Sequence, residues 1–327
     1  MDFKDIIGQK NVIGRLRNSI IDDRVGHAYI FAGQKGIGKK TVAEAFSHML
    51  LCSTPTRHGS CNVCTPCRLW NENSNPDFYQ IQTSEDNILI EDIRNMQNNI
   101  VVKPLYSHKK VYLIIDAEKM TVQAQNCLLK ILEEPPQYAV IILTTSNYEA
   151  LLSTIRSRGV KYNFSKYSQD EIKEIINLRF NKHNESLDFI AHYSDGIIGT
   201  ALNLAESPDF IDLRENTFDI IHKLSGMKDI EYFDIYGFFE DNKENIDIIL
   251  DVMSIFYRDI IVTKSGGKEN MLINSDKKNK IISEARNYSI DELAKRIELI
   301  ELTRSSLKQN INYQLCIEKM IIGLWNK

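Results

Sequence analysis

The chain has 327 residues, which is long for a single domain, so two or three domains are expected. Its 43% hydrophobic and 26% charged residues are typical of a globular protein, and the net charge of −4 argues against a uniformly basic surface that wraps nucleic acid. The sequence has no apolar run of about 18 residues, so no membrane span is expected. The charged N-terminal stretch lacks a signal-peptide core, which predicts a cytoplasmic protein.

The first predicted elements are an amphipathic helix and a strand that leads into a glycine-rich turn. Val12, Leu16 and Ile20 recur at helical spacing. Residues 29–32 form a short apolar run before the glycines, and a helical pattern starts at residue 41. A strand, a glycine-rich turn and a helix in this order are the context that a phosphate-binding loop requires.

The turn follows the phosphate-binding pattern except at its last position. Its glycines let backbone N–H groups surround phosphate oxygens, and Lys39 would reach the β- and γ-phosphates. The position that normally carries a hydroxyl for Mg²⁺ holds Lys40, and Thr41 comes one residue later. We therefore expect the turn to hold a nucleotide better than to hydrolyse it. Whether ATP or ADP binds stays open, and a glycine turn without a ligand is the alternative. The candidate residues are Gly33, Gly36, Gly38, Lys39, Lys40 and Thr41.

Four cysteines follow in the pattern C-x8-C-x2-C-x2-C. Thiols stay reduced in the cytosol, so disulfides explain this cluster poorly. Four thiolates at this spacing suit a tetrahedral Zn²⁺, and a full set of four ligands favours a structural zinc over a catalytic one. Redox chemistry and unrelated thiols in a loop are the alternatives. The candidate ligands are Cys52, Cys61, Cys64 and Cys67, whereas Cys127 and Cys316 are predicted to be small buried hydrophobic residues.

The rest of the first half alternates between strands and helices. This alternation predicts a parallel α/β sheet flanked by helices. Strands are predicted at residues 78–81, 110–115, 139–144 and 159–164, and helices at 88–99 and 121–132.

Strand signals fade after residue 168, and the second half is predicted to be helical. The sequence therefore predicts three domains. They are an α/β domain at 1–165 with a zinc module at 52–67, a small helical domain at 166–208, and an all-helical domain at 209–327.

A carboxylate follows the second long apolar strand. An ATPase of this layout needs one acid there for Mg²⁺ and a glutamate beside it for the attacking water. Here Asp116 is followed by Ala117, so one acid stands where a pair is expected. If Asp116 is the metal acid, the glutamate is missing; if it is at the glutamate position, Ile115 replaces the metal acid. Glu118 is a possible substitute, and a carboxylate that caps the next helix is the alternative for Asp116.

Several stretches together resemble the bacterial clamp-loader AAA+ ATPases over nearly the whole chain. The most specific is AQNCLLKILEEPP at residues 124–136. The others are residues 27–29, the cysteine insert, residues 110–121, residues 144–158, and residues 304–322 with Asn310, Asn312, Gln314 and Leu315. The resemblance implies an AAA+ phosphate-loop domain, a helical lid at 166–208 and a collar at 209–327 through which subunits assemble.

Departures from the family pattern favour the delta-prime type of subunit in DNA polymerase III over the tau/gamma motor type. The motor type carries a hydroxyl residue at the position of Lys40, an Asp-Glu pair at the strand end, and a sensor arginine where this chain has Gly199. Because three losses affect one reaction, the resemblance implies a subunit without ATPase activity of its own. Ser157-Arg158 is intact and implies an arginine finger that Arg158 places in a neighbour's ATP site, with Arg156 as the alternative.

The function implied is that of a non-motor clamp-loader subunit with structural zinc. It would assemble with tau/gamma motor subunits and a delta subunit to load a sliding clamp on primed DNA, with no membrane contact. Two other functions are weighed against this one. The first is a motor-type ATPase that uses Thr41 with Asp116 or Glu118, and the second is a zinc-dependent DNA-binding module.

Overall fold

The structure is a computed structural model. It describes residues 2–57, 59–83, 87–180, 186–225, 232–268, 271–309 and 311–325. Asn310 of the predicted collar pattern lies outside these described residues.

The chain forms two compact units. The first unit comprises Met1–Ile175 and Ser194–Thr200, and the second comprises Ile176–Tyr193 and Ala201–Lys327. The sequence predicts three domains, which is a finer division than these two units, and the boundaries of those domains stay a prediction. No helix in the described part of the chain is long and apolar enough to cross a membrane.

The first unit contains one five-stranded sheet in which every strand pair is parallel, as the sequence predicted. The strand order is β2-β3-β4-β1-β5. The connections that leave the neighbouring strands β1 and β4 therefore run in opposite directions across the sheet. In open parallel sheets, ligand sites lie at such a switch point, outside the carboxyl ends of the strands. The strands are β1 Ala28–Ala32, β2 Phe78–Ile81, β3 Lys110–Ile114, β4 Ala139–Thr145 and β5 Val160–Asn163.

Burial explains why the central strands read as continuous apolar runs. Every residue of β1, β3 and β4 is buried, because helices cover both faces of the sheet. Strand β5 lies at the edge and exposes three of its four residues, with Tyr162 the buried one. The helices of the first unit are α1 Lys10–Ile21, α2 Lys39–Leu51, α3 Thr65–Asn71, α4 Ile90–Ile100, α5 Val122–Glu133 and α6 Ser153–Arg156, and α7 Gln169–Phe180 begins in it.

Among its described residues, the second unit contains helices and connecting loops but no strand. Its long central helix α12 packs against α10 and α14, and α14 packs against α15. The remaining helices are α8 Leu187–Tyr193, α9 Ile198–Glu206, which begins in the first unit, α10 Pro208–Ser225, α11 Tyr232–Asp241, α12 Ile246–Lys264, α13 Lys278–Glu284, α14 Ile290–Lys308 and α15 Tyr313–Trp325.

A buried cation organises part of this helical unit. Arg214 is 1% exposed and donates two hydrogen bonds of 2.8 Å to the carboxylate of Asp276. Its guanidinium also reaches Asn274 Oδ1 at 2.8 Å and lies 4.9 Å from the ring centroids of both Phe189 and Phe218. Arg214 thereby joins three segments of the second unit around one charge.

Candidate functional site

The glycine-rich turn lies at the carboxyl end of β1 and leads directly into α2. Gly36 and Gly38 have φ of +79° and +91°, the left-handed region that glycine adopts without strain. A Cβ on Gly33 would lie 2.9 Å from Phe164 Cβ, so the turn also packs too closely for a side chain there. No side chain caps the N-terminus of α2, which begins at Lys39. The first N–H groups of such a helix are the ones that bind phosphate in nucleotide-binding proteins.

The ammonium group of Lys39 is bound by the turn itself. Its Nζ donates to the carbonyl oxygens of Gly33 at 2.7 Å and Gln34 at 2.9 Å. Lys39 is buried, and burial lowers its pKa, while the negative charges of Glu118 and Asp116 act in the opposite direction. Lys39, which was expected to bind phosphates, therefore already donates hydrogen bonds to two backbone carbonyl oxygens.

Gly199, at the position where the family resemblance places a sensor arginine, makes a backbone contact with the glycine-rich turn. The N–H of Gly199 donates to the carbonyl oxygen of Gly36 at 2.8 Å. A Cβ on Gly199 would lie 3.0 Å from Gly36 Cα and 3.1 Å from its oxygen, so a side chain at 199 would require the turn to shift by a few tenths of an ångström. The phenol oxygen of Tyr167 would lie 3.2 Å from a Cβ on Gly38. The turn is thus packed against its own unit.

Lys40 and Thr41 both lie in the first turn of α2, and the Lys40 side chain binds elsewhere. Lys40 Nζ donates to Gln82 Oε1 at 2.9 Å and lies 3.8 Å from Glu44 Oε1. The side chain at the hydroxyl position is therefore an exposed cation with its own partners.

The two acids that follow β3, Asp116 and Glu118, have different backbone conformations and different hydrogen-bond partners. Asp116 has φ of +51° and precedes the 3₁₀ turn Ala117–Lys119, and its N–H donates to Thr144 Oγ1 at 3.2 Å. Glu118 Oε1 accepts from the N–H of Ser146 at 2.9 Å and from the Ser146 hydroxyl. Burial acts to raise the pKa of Glu118, but hydrogen bonds from Ser146, from the Glu118 backbone and from Thr145 together outweigh it and lower the pKa.

The two arginines after β4 have different environments. Arg158 Nη2 donates to Glu133 Oε1 at 2.9 Å, and Nη1 donates to the carbonyl oxygen of Thr154 at 3.0 Å. Arg156 pairs with Glu149, and its guanidinium lies 5.4 Å from the ring centroid of Tyr148. Arg156 Nε is buried and has no hydrogen-bond partner among the described residues, which marks Arg156 as the more enclosed of the two.

The four predicted cysteine ligands lie together. Their sulfur atoms are all within 4.8 Å of one another. The Cys52–Cys64 and Cys61–Cys67 sulfur pairs are each 4.0 Å apart. A tetrahedral zinc with Zn–S bonds of about 2.3 Å separates its sulfurs by about 3.8 Å. The cluster therefore has the donor set and spacing of a metal site. The other two thiols are also free, with Cys316 buried as predicted and Cys127 only half-buried.

Local hydrogen bonds favour the thiolate form at two of the four cysteines, Cys61 and Cys64. The N–H of Cys61 points to Cys52 Sγ at 3.3 Å, and the N–H of Cys64 points to Cys61 Sγ at 3.4 Å. Burial acts to raise the pKa of Cys61, but hydrogen bonds from Thr54, Val63 and Cys64 outweigh it and lower the pKa to about 6. At Cys64 hydrogen bonds likewise outweigh burial and lower the pKa, whereas burial raises the pKa of Cys52 and of Cys67. Metal binding requires the thiolate form, which Cys61 and Cys64 therefore reach more readily than the other two.

The sequence did not indicate that an N-terminal carboxylate supports the cysteine module. Asp2 Oδ2 accepts from the N–H of Ser60 at 3.0 Å, across 58 positions in the chain. A Cβ on Gly59, whose φ is +134°, would lie 1.9 Å from Asp2 Oδ1. The contact of Tyr167 with the glycine-rich turn and the pairing of Glu133 with Arg158 were missed as well. Glu133 lies in the family signature, but no local pattern pairs it with Arg158.

Two family models match the chain. DNA polymerase III, delta subunit, matches residues 8–168, and DNA polymerase III, delta subunit, C terminal, matches residues 208–325. The chain belongs to the clamp-loader subunit family of DNA polymerase III. This membership confirms the resemblance, and it places the chain among proteins of DNA replication.

Relatives in the clamp-loader family are of two types. The chain is 28% identical to DNA polymerase III subunit delta' of Bacillus subtilis (strain 168), over 97% of this chain and 96% of that protein. It is 33% identical to DNA polymerase III subunit gamma of Buchnera aphidicola subsp. Schizaphis graminum, over 66% of this chain. It spans about three-fifths of that gamma subunit's length, 62%.

Among solved structures, a DNA polymerase III gamma subunit-related protein of Thermotoga maritima is similar at 17% identity and a TM-score of 0.47. The match covers 97% of this chain and 99% of that one. A likeness of this size adds nothing to the family assignment.

Proposed function

We propose that this clamp-loader family member is a non-motor subunit. It assembles with tau/gamma motor subunits and a delta subunit, helps the assembly load a sliding clamp on primed DNA, and places Arg158 in the ATP site of a neighbour. The relation to the delta' subunit of Bacillus subtilis over nearly the full length of both chains supports this choice of subunit type.

The observation that carries the non-motor role is the glycine-rich turn bound to its own chain. For a nucleotide to enter, Lys39 would have to leave the carbonyl oxygens of Gly33 and Gln34. The N–H of Gly199, where a motor subunit has its sensor arginine, instead binds Gly36. Lys39 would have to give up its carbonyl contacts to bind phosphate, and the Gly199 contact holds another segment against the turn, so both disfavour nucleotide binding and turnover.

The surrounding acids support the same conclusion. Hydrolysis needs a carboxylate for Mg²⁺ and a second one for the attacking water. Asp116 is the single acid at the strand end, and Glu118 is bound by the N–H and hydroxyl of Ser146. A motor-type mechanism through Thr41 and Glu118 would require Glu118 to give up these hydrogen bonds.

Arg158 is suited to act on a neighbour. Its planar, permanently charged guanidinium can meet the charge that develops on a transferring γ-phosphoryl group. Its side chain is 34% exposed, whereas Arg156 is 27% exposed, paired with Glu149 and stacked on Tyr148.

The cysteine module completes the proposal with a structural zinc. Cys52, Cys61, Cys64 and Cys67 would supply all four ligands, which leaves no open position for substrate or water. The zinc would stabilise the fold of residues 52–67.

Hydrolysis assays on the purified chain test the non-motor role. We expect no ATP turnover above the buffer rate, with or without primed DNA, because the site lacks its metal acid or its glutamate. Turnover that disappears in a Lys39→Ala variant would contradict the proposal and favour the motor-type function. A contaminating ATPase is recognised by turnover that persists in that variant.

A further inference from the structure

The guanidinium of Arg158 is bound by two different elements of its own unit. Glu133, the last residue of α5, accepts from Nη2 at 2.9 Å, and the carbonyl oxygen of Thr154, in α6, accepts from Nη1 at 3.0 Å. The Glu133 side chain is 52% exposed and that of Arg158 is 34% exposed. The pair is therefore accessible to a molecule that approaches this surface.

These two acceptors restrict the side chain without occupying all of its donors. A guanidinium carries five N–H donors, so two hydrogen bonds leave three for phosphate oxygens. A free arginine side chain populates many rotamers, and each must be lost when the group is placed on a ligand. Because Glu133 and Thr154 accept from different nitrogens of Arg158, they favour one placement of the guanidinium before a ligand arrives.

We infer that Glu133 is a positioning residue for Arg158: its carboxylate orients the guanidinium before a neighbour's nucleotide reaches it. This inference rests on the proposed function of Arg158. Exposed ion pairs of this kind are weak, so Glu133 orients Arg158 rather than withholding it from phosphate. The contrast with Arg156 supports the assignment, because Glu149 and the Tyr148 ring enclose that guanidinium instead of presenting it.

The chain offers a matched control at the next residue. Glu134 is also exposed, follows the same helix and carries the same charge, but no ion pair joins it to a cation among the described residues. A general loss of negative charge at the end of α5 would affect both variants alike. A role in orienting Arg158 affects Glu133→Ala alone.

The experiment measures steady-state ATP hydrolysis by the whole assembly, reconstituted from this chain with the motor and delta subunits of the same genome. Arg158→Ala should lower kcat at least about tenfold, because an arginine finger acts on transition-state charge. Glu133→Ala should lower kcat by about two- to fivefold, the size that an exposed ion pair supports. The KM for ATP should stay within about twofold, and Glu134→Ala should leave both constants unchanged.

A double variant separates positioning from any other role of Glu133. In the Arg158→Ala background, Glu133→Ala should cause no further loss of kcat, because there is no guanidinium left to orient. A loss that persists in that background, or a Glu133→Ala variant as active as the unmodified chain or more active, would overturn the positioning role. If Arg158→Ala itself leaves kcat unchanged, the arginine-finger proposal fails instead. Size-exclusion profiles of each assembly verify that the subunits still associate.

Discussion

Charged side chains in this protein fall into two groups with different energetic weight. Arg158 and Lys40 form exposed pairs, which contribute about 0–1 kcal/mol each and leave their groups available to ligands. Arg214 is 1% exposed, and its cost of desolvation is offset only while Asp276 and Asn274 stay bound to it. The exposed charges are therefore available for binding, whereas the buried Arg214 stabilises the fold.

Replacement of Arg214 should show this difference. Arg214→Ala removes the guanidinium from the Asp276 carboxylate and from Oδ1 of the fully buried Asn274, so we expect the free energy of unfolding to fall by about 3–5 kcal/mol. Urea denaturation followed by circular dichroism measures the change. Lys280→Ala is the control, since that side chain is 54% exposed and lies 3.6 Å from Asp219; its effect should stay within about 0.5 kcal/mol. An equal effect of both changes would refute the assignment.

At the scale of elements, the local signals were predictable and the contacts between distant segments were not. The parallel sheet followed from the continuous apolar runs of β1, β3 and β4. Helix α3 was not predicted; its Pro66 lies in the first turn, where proline is well tolerated. The contacts of Asp2 with Ser60, Glu133 with Arg158 and Gly36 with Gly199 join residues far apart in the chain, and no spacing or periodicity encodes them.

The cysteine module is the element whose ligand can be tested most directly. Metal analysis of the purified chain should return about one zinc per chain, and a strong chelator should lower the melting temperature. Cys64→Ser should lose most of the zinc, because three thiolates bind more weakly than four. Cys127→Ser is the matched control, since Cys127 lies outside the cluster and should keep the metal. Zinc retained equally by both variants would exclude the proposed ligand set.

For the whole molecule, the family assignment and the charge balance constrain how the chain meets DNA. A formal charge of −4 gives no long-range attraction to phosphate, so DNA contact is expected to depend on the assembled complex. A subunit that acts by placing one cation in a neighbour's site needs no DNA affinity of its own. A zinc-dependent DNA-binding module, by contrast, would need a basic surface that binds without partners.

Fluorescence anisotropy with labelled primed DNA distinguishes these two functions. The isolated chain should bind with a Kd weaker than about 100 μM at physiological salt, because few phosphates would be neutralised. The same DNA should bind measurably to the reconstituted clamp loader in the presence of ATP, which verifies that the probe is competent. Binding by the isolated chain that weakens steeply with salt, and that disappears in Cys64→Ser, would instead assign the cysteine module to DNA recognition, since counterion release is the mark of a direct phosphate interface.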